Sequence, residues 1–216
     1  MIIITIEGNI GCGKTTLIQE LKKYNNDNII FIEEPVDIWS TISIDNITIL
    51  DKFYEDPIKY GFSFQMMAYI SRLSVLNKTI KNNPDSIIVT ERCLLTDKNI
   101  FAKMLYDSNK IDPYSYQIYN LWFTEFFSNL PKHKHIYLYS EPENIINRIK
   151  KRNRKGEEKL DINYLKKCHE YHELFLNKNK DLIKKINIDE YIDNEKKYNL
   201  LLQELIKIFN NKELDL

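Results

Sequence analysis

Of the 216 residues, 43% are hydrophobic, 29% charged and 12% aromatic, with 5 Gly and 6 Pro; this excludes a collagen-like, mucin-like or disordered chain and fits one compact domain over residues 1–216. Lys+Arg and Asp+Glu balance at 31 each, so no bulk charge points to nucleic acid, and a small ligand of neutral or mixed charge fits better. Cys12, Cys93 and Cys168 are scattered, odd in number and form no CxxC pair, which argues against a disulfide scaffold or zinc site and for a reducing compartment.

Residues 2–7 form a continuous β-branched run ending at Gly8, the pattern of a strand buried on both faces of a parallel sheet. A helix follows at once: Leu17, Ile18 and Leu21 share one face, and the Asn-rich residues 24–28 supply its stop. Further strands are predicted at residues 29–32, 86–90, 135–139 and 185–188, with helices at 60–81, 95–106, 113–129, 142–151, 162–177 and 195–210. Residues 40–56 have no clear period and read as a loop with some helix. Five strands alternating with helices predict an α/β fold with a five-stranded parallel sheet flanked by helices in three layers. No apolar run approaches the about 20 residues of a membrane span, and residues 1–6 carry neither a signal h-region nor an Arg-rich leader, so a cytoplasmic protein is expected. Ligands of parallel sheets bind beyond the carboxyl ends of strands, which directs attention to residues 8–15, 33–39, 91–97 and from 140 onward.

Gly8-Asn9-Ile10-Gly11-Cys12-Gly13-Lys14-Thr15 matches GxxxxGK[ST] between a strand and a helix. The glycines let the loop curl so that backbone N–H groups and the helix N-terminus face phosphates. Lys14 adds a point charge on the β and γ oxygens, Thr15 offers a hydroxyl to Mg2+, and Thr16 follows in the same helical turn. The spacing is GxxGxG and not GxGxxG, which argues against a Rossmann dinucleotide site. The loop alone leaves switch GTPases, motor ATPases and small-molecule kinases open; the chain has no DxxG after a strand to support a GTPase.

Beyond the loop come Glu34-Pro35-Val36-Asp37-Ile38-Trp39, then Phe64-Gln65-Met66-Met67-Ala68-Tyr69-Ile70-Ser71-Arg72. Glu91-Arg92-Cys93 with Asp97 follow, and then Arg148, Arg152, Arg154 and Glu157 ahead of Tyr164-Leu165. Together with residues 6–15, this ordered set resembles the deoxynucleoside kinases, the deoxycytidine and deoxyguanosine kinase family, over nearly the whole chain. The resemblance implies a P-loop NTPase-like fold with a mobile Arg-rich lid at about residues 148–160, ATP or another nucleoside triphosphate as donor, and Mg2+. The acceptor would be a small-molecule deoxynucleoside, with no nucleic-acid or membrane partner. It also implies a homodimer formed by a four-helix bundle that includes the helix bearing Tyr119, Trp122, Phe123, Phe126 and Phe127.

The same resemblance assigns roles. Glu34, just past the second strand, would be the general base that orients the acceptor hydroxyl and takes its proton; by itself, a Glu before Pro reads sooner as a helix N-terminal carboxylate, and the resemblance reverses that reading. Glu91 ends a strand where an acid reaches Mg2+ directly or through water. Arg92 would bridge the 5′ oxygen, Glu34 and the moving phosphoryl group. Arg148, Arg152 and Arg154 would close on the phosphates as arginine fingers supplied in cis, while Lys150, Lys151 and Lys155 form a solvated face.

For the nucleoside, the resemblance places the base between Phe64 and Phe101, with Trp39, Ile10 and Leu50 closing the apolar shell. Gln65 would contact a base edge, and Tyr54 and Glu157 would hold the sugar 3′-hydroxyl. Ala68, Arg72 and Asp97 would discriminate: Arg72 pairs with Asp97, which accepts from an exocyclic amine, so deoxycytidine or deoxypurines are favoured over thymidine. Asp189, Glu190 and Tyr191 would neighbour the donor adenine. The chain departs from the family in Cys93 where Ser is common, in Lys98 where Arg is common, and in a shortened stretch between Trp39 and Tyr54. His169 and His172 are not an HExxH pair and read as structural. The rival readings are a monophosphate kinase of the thymidylate kinase type and a non-catalytic nucleotide-binding subunit; the first expects an extra arginine in place of the Glu34 role, and the second expects Lys14 or the acids to be lost.

Overall fold

Ile3–Glu7 (β1) is buried at every position, because an uninterrupted β-branched run can only satisfy its backbone and cover both faces at the centre of a sheet. In the computed structural model, which describes residues 1–24, 28–152 and 157–210, its neighbours are Ile87–Glu91 (β5) and His133–Tyr139 (β6), both parallel to it. Ile29–Ile32 (β2) and Leu182–Asn187 (β7) complete the sheet in the order β2-β5-β1-β6-β7. The five expected strands are thus present, within a few residues of their predicted bounds.

The period-2 alternation of β1 divides the core. Ile4 and Ile6, with Val89 and Ile136, pack against Leu17, Ile18 and Leu21 of Lys14–Lys23 (α1) and against Leu201, Leu202 and Leu205 of Glu195–Phe209 (α10). Ile3 and Ile88 turn to the opposite face and meet Leu76 of the long helix Pro57–Asn82 (α4). Pro113–Phe127 (α7) packs beside α4 through Tyr119 and Phe123, around the fully buried Tyr69. Pro142–Arg152 (α8) and Ile162–Leu176 (α9) follow β6. Among the described residues, no helix is long and apolar enough to cross a membrane.

Two segments are more ordered than their sequences foretell. Val36–Ser40 (α2) follows Pro35, and residues 40–56 hold a hairpin, Ser43–Ile44 (β3) and Ile47–Thr48 (β4), before Ile49–Glu55 (α3). Its two-residue turn puts Asp45 at φ 51° and Asn46 at φ 59°, a left-handed pair that Asp and Asn tolerate. Helix α3 starts in a capping box, with Thr48 and Asp51 satisfying each other's backbone N–H groups. The helix expected over 95–106 is present but broken: Leu94–Thr96 (α5) runs into a π-helical stretch, Asp97–Ala102, before Lys103–Asp107 (α6). Such wide turns cluster at functional sites, and this one carries both Asp97 and Phe101.

Candidate active site

The phosphate loop leaves the carboxyl end of β1 at the sheet centre and enters α1. Gly8 has φ 148°, and a Cβ there would lie 2.3 Å from the Leu138 carbonyl oxygen. Only glycine lets the loop pass that close to β6. Asn9 ties the loop to α9 by donating from Nδ2 to the Leu165 carbonyl at 2.9 Å. Lys14 is buried, its Nζ donating to the Asn9 carbonyl at 2.8 Å and lying 4.0 Å from Glu91 Oε1. Burial, then the nearby Arg92 guanidinium, lower the Lys14 pKa, while Glu91 and Glu34 oppose that shift. Thr15 Oγ1 stands 3.0 and 2.9 Å from the two Glu91 carboxylate oxygens. A hydroxyl and a carboxylate converging beside the loop are the hard oxygen donors that suit Mg2+.

Across the cleft, one oxygen of Glu34 receives two guanidinium donors: Arg92 Nη1 at 2.7 Å and Arg72 Nη2 at 3.0 Å. Arg72 is spread over three partners. Its Nε donates to Asp97 Oδ2 at 2.9 Å and its Nη1 to the Glu91 carbonyl at 2.7 Å, in addition to the Glu34 contact. The Arg72–Asp97 pair expected from the sequence is therefore present, and Arg72 also reaches the carboxylate expected to be the base. Arg92 holds a left-handed backbone, φ 61°, an uncommon conformation for a non-glycine residue. Its guanidinium lies 5.0 Å from the centre of the Phe101 ring, and its Nη2 reaches the Gly8 carbonyl at 3.4 Å. Burial would raise the Glu34 pKa, but Arg92 and then Arg72 outweigh it and hold the carboxyl down to about 2.

These groups line one cleft of about 930 Å³, a size that accommodates small-molecule ligands. Its walls include Glu34, Trp39, Leu50, Tyr54, Phe64, Gln65, Ala68, Arg72, Arg92, Asp97, Phe101 and Glu157, together with Ile10, Gly11, Gly13, Lys14, Thr15, Thr16 and Glu91. Of the loop residues, Gly8, Asn9 and Cys12 do not line the cleft. Phe64 is stacked on Phe53 at 4.6 Å between ring centres and meets the edge of Trp39 at 5.4 Å; Trp39 is fixed in turn by donating from Nε1 to Ser71 Oγ at 2.8 Å.

Arg148 and Arg152 also line the cleft, each held by an acid. Arg148 pairs with Asp189 and donates to Ser140 Oγ at 3.1 Å. Arg152 pairs with Glu157, its Nε lying 3.1 Å from Oε2, so a residue expected at the phosphates touches one expected at the sugar. Arg154 lies outside the described residues. Sequence reasoning missed Phe53, which backs Phe64, and the stretch of cleft wall formed by Glu20, Ile192, Asp193, Glu195, Tyr198 and Asn199. Phe53 sits beside Tyr54 behind the Thr48-x-x-Asp51 capping signal; the second stretch carries no comparable motif. His172 donates from Nδ1 to the Cys168 carbonyl at 2.6 Å and stacks on Tyr137, and burial drives its pKa down to about 3, which makes it a neutral core side chain.

The family model described as deoxynucleoside kinase matches residues 4–210. A probable deoxycytidine kinase of fowlpox virus (strain NVSL) is 35% identical over 181 residues, covering 82% of this chain and 73% of the viral protein. The deoxycytidine kinase of Mus musculus is 32% identical over 194 residues, covering 80% of this chain and 74% of the mouse protein. A mitochondrial deoxyguanosine kinase of Xenopus laevis is 29% identical over 196 residues, covering 81% of this chain and 73% of its own. With a glycine-rich loop at the end of β1, a buried carboxylate paired to two arginines across the cleft and a match running from residue 4 to residue 210, the chain belongs to the deoxynucleoside kinase family.

Proposed function

We propose that this protein transfers the γ-phosphoryl group of ATP, or of another nucleoside triphosphate, to the 5′-hydroxyl of a deoxynucleoside, with deoxycytidine or a deoxypurine nucleoside preferred to thymidine. The observation that carries this reading is Glu34: a carboxylate 2.7 Å from Arg92 and 3.0 Å from Arg72, lining the same cleft as Lys14 and Thr15. A monophosphate acceptor would bring its own negative charge to this end, where a carboxylate already takes up both arginines.

The acceptor oxygen attacks the γ-phosphorus, the bond to the β-bridging oxygen breaks, and that oxygen leaves with the electron pair on the nucleoside diphosphate. A carboxyl held near pKa 2 is a weak base. Phosphoryl transfer through a loose transition state does not need the proton removed early. Glu34 therefore orients the hydroxyl by accepting its hydrogen bond and collects the proton as the new O–P bond makes the oxygen acidic. Arg92 reaches from Glu34 toward the loop and neutralises charge on the moving phosphoryl group, while Lys14 and the loop N–H groups hold the β and γ oxygens. Arg148, Arg152 and Arg154 serve the phosphates from the lid at about residues 148–160. Mg2+ held by Thr15 and Glu91 would neutralise the β and γ oxygens.

The base packs against Phe64 and Phe101, with Gln65 at its edge and Tyr54 and Glu157 at the sugar 3′-hydroxyl. Asp97, oriented by Arg72, accepts from an exocyclic amine, which thymine lacks. The protein acts as a cytoplasmic homodimer in this reading. The aromatic row of α7 divides into two faces: Tyr119 and Phe123 are buried, while Leu121, Trp122 and Phe126 are exposed, as is Ile70 on α4. That uncovered apolar face is what a second copy would bury.

Glu34→Gln tests the central role. The variant is expected to bind ATP with wild-type affinity while kcat falls by about 100- to 10,000-fold; near-normal turnover in the folded variant removes Glu34 from the mechanism.

A further inference from the structure

Directly behind the phosphate loop lies a group of polar side chains that the catalytic steps do not use. Glu7, the last residue of β1, is fully buried, and among the described residues no lysine or arginine pairs with it. One carboxylate oxygen accepts from Thr5 Oγ1 at 2.7 Å and the other from Thr96 Oγ1 at 2.6 Å. Since the Thr5 proton goes to Glu7, the His135 nitrogen 2.8 Å from Thr5 Oγ1 is the donor there, which makes His135 the Nδ1–H tautomer. Cys93 Sγ completes the group 3.4 Å from Thr96 Oγ1.

Glu7, Cys93 and His135 place their ligand atoms within 4.8 Å of one another, a mixed donor set that could hold a metal ion. The hydrogen bonds point elsewhere. Both carboxylate oxygens already hold hydroxyl protons, Thr5 sits between acid and imidazole, and burial pushes the Cys93 thiol up so that it stays protonated. The group is a closed hydrogen-bonded network, and its output is mechanical.

That output is the turn after β5, which bears Arg92 and, five residues on, Asp97. The backbone of Arg92 is left-handed and is gripped on both sides: its N–H donates to the Ile6 carbonyl at 3.0 Å and its carbonyl accepts from Thr90 Oγ1 at 2.7 Å. The far side of the turn closes when the N–H groups of Thr96 and Asp97 donate to the Cys93 carbonyl at 3.1 and 3.2 Å. The Thr96 hydroxyl links this closed end back to β1 through Glu7, at 2.6 Å, and the Cys93 thiol beside it also bonds to the Glu7 carboxylate. We infer that Glu7 and Thr96 are positioning residues: the buried carboxylate anchors the turn to the phosphate-loop strand and thereby sets where Arg92 and Asp97 stand against Glu34 and Arg72. This inference rests on the kinase reading for its consequence in turnover, but not for its geometry.

Thr96→Val keeps the shape and removes the hydroxyl, and Thr96→Ser restores it. With Mg-ATP and deoxycytidine, Thr96→Val is expected to lower kcat about 10-fold or more while leaving KM for ATP within about two-fold, and Thr96→Ser to recover most of the loss. The crystal structure of Thr96→Val should show Arg92 withdrawn from its 2.7 Å contact with Glu34. Wild-type kcat in folded Thr96→Val with Arg92 in place overturns the inference, as does a kcat loss that Thr96→Ser fails to recover. If Thr96→Val does not fold, the pair Glu7→Gln with Thr96→Val removes the buried charge together with its partner and is judged by the same criteria. If the wild-type protein phosphorylates no nucleoside, the kinase reading fails, and the position of Arg92 in the variant crystal structure still decides this one.

Discussion

At the phosphate end of the cleft, consecutive residues from Gly8 to Thr15 supply the loop, the lysine and the hydroxyl. At the end proposed to take the acceptor, Glu34 comes from the connection after β2, Gln65 and Arg72 from α4, Arg92 from the turn after β5 and Asp97 from the π-helical stretch. The first end is built from backbone whose geometry glycines permit. The second is held by ion pairs between side chains that are 25 to 58 residues apart in sequence. A backbone-built site fails where an added side chain would strike the surrounding chain, as at Gly8, whereas assembled side-chain sites can change in strength or selectivity without collapsing.

That contrast breaks most sharply at the glycines. Gly8→Ala would push a methyl to 2.3 Å from the Leu138 carbonyl oxygen, and is expected to weaken ATP binding by about 100-fold or more, since displacing a site by 1 Å costs that order. Gly13→Ala meets nothing within 4 Å at φ 94°, so only backbone strain of about 1–2 kcal/mol opposes it. Calorimetric ATP titration of the two variants checks this; equal losses would show that packing around Gly8 is not what shapes the loop.

At the acceptor end, removing Arg72 and Asp97 together avoids leaving either charge unpaired in the interior. Arg72→Met with Asp97→Ala is expected to raise thymidine phosphorylation relative to deoxycytidine by at least about 10-fold, read from kcat/KM for each nucleoside. An unchanged ratio would take selectivity away from this pair. The smallest effect is in acid. Glu34 is held near 2 in the folded protein against an ordinary value of 4.5. Its contribution to stability is therefore fully present above pH 4.5 and lost as pH falls toward 2. Unfolding midpoints at pH 7, 4.5 and 3 should fall more for wild type than for Glu34→Gln over that interval; parallel curves would mean that the arginines do not depress this carboxyl.

The same contrast governs how much the sequence discloses. The phosphate loop could be read outright because its requirement is local: a strand, a glycine pattern and a helix in that order. The central strands could be read because burial on both faces leaves a continuous apolar run. Residues 40–56 could not be read by period, since a two-residue hairpin and a short capped helix are too brief to show one; Asp45-Asn46 and Thr48-x-x-Asp51 are their signals. The π-helical turn left no mark in the periodicity of residues 95–106, because one wide turn shifts the register by a single position. The acceptor residues were placed by resemblance and not by spacing, and the network behind Glu7 was not foreseen, because hydroxyls gain such roles only when distant strands bring them together. The α7 aromatics carried more apolar surface than one stripe needs, which anticipated their division into a buried and an exposed face.

The most direct test of the account is product formation by the purified protein with Mg-ATP, offered the four deoxynucleosides and, separately, their 5′-monophosphates. The account predicts monophosphates from deoxycytidine or the deoxypurine nucleosides, with thymidine lagging and the monophosphates unreactive. Reaction with the monophosphates alone would contradict the assignment of Glu34 to a nucleoside hydroxyl.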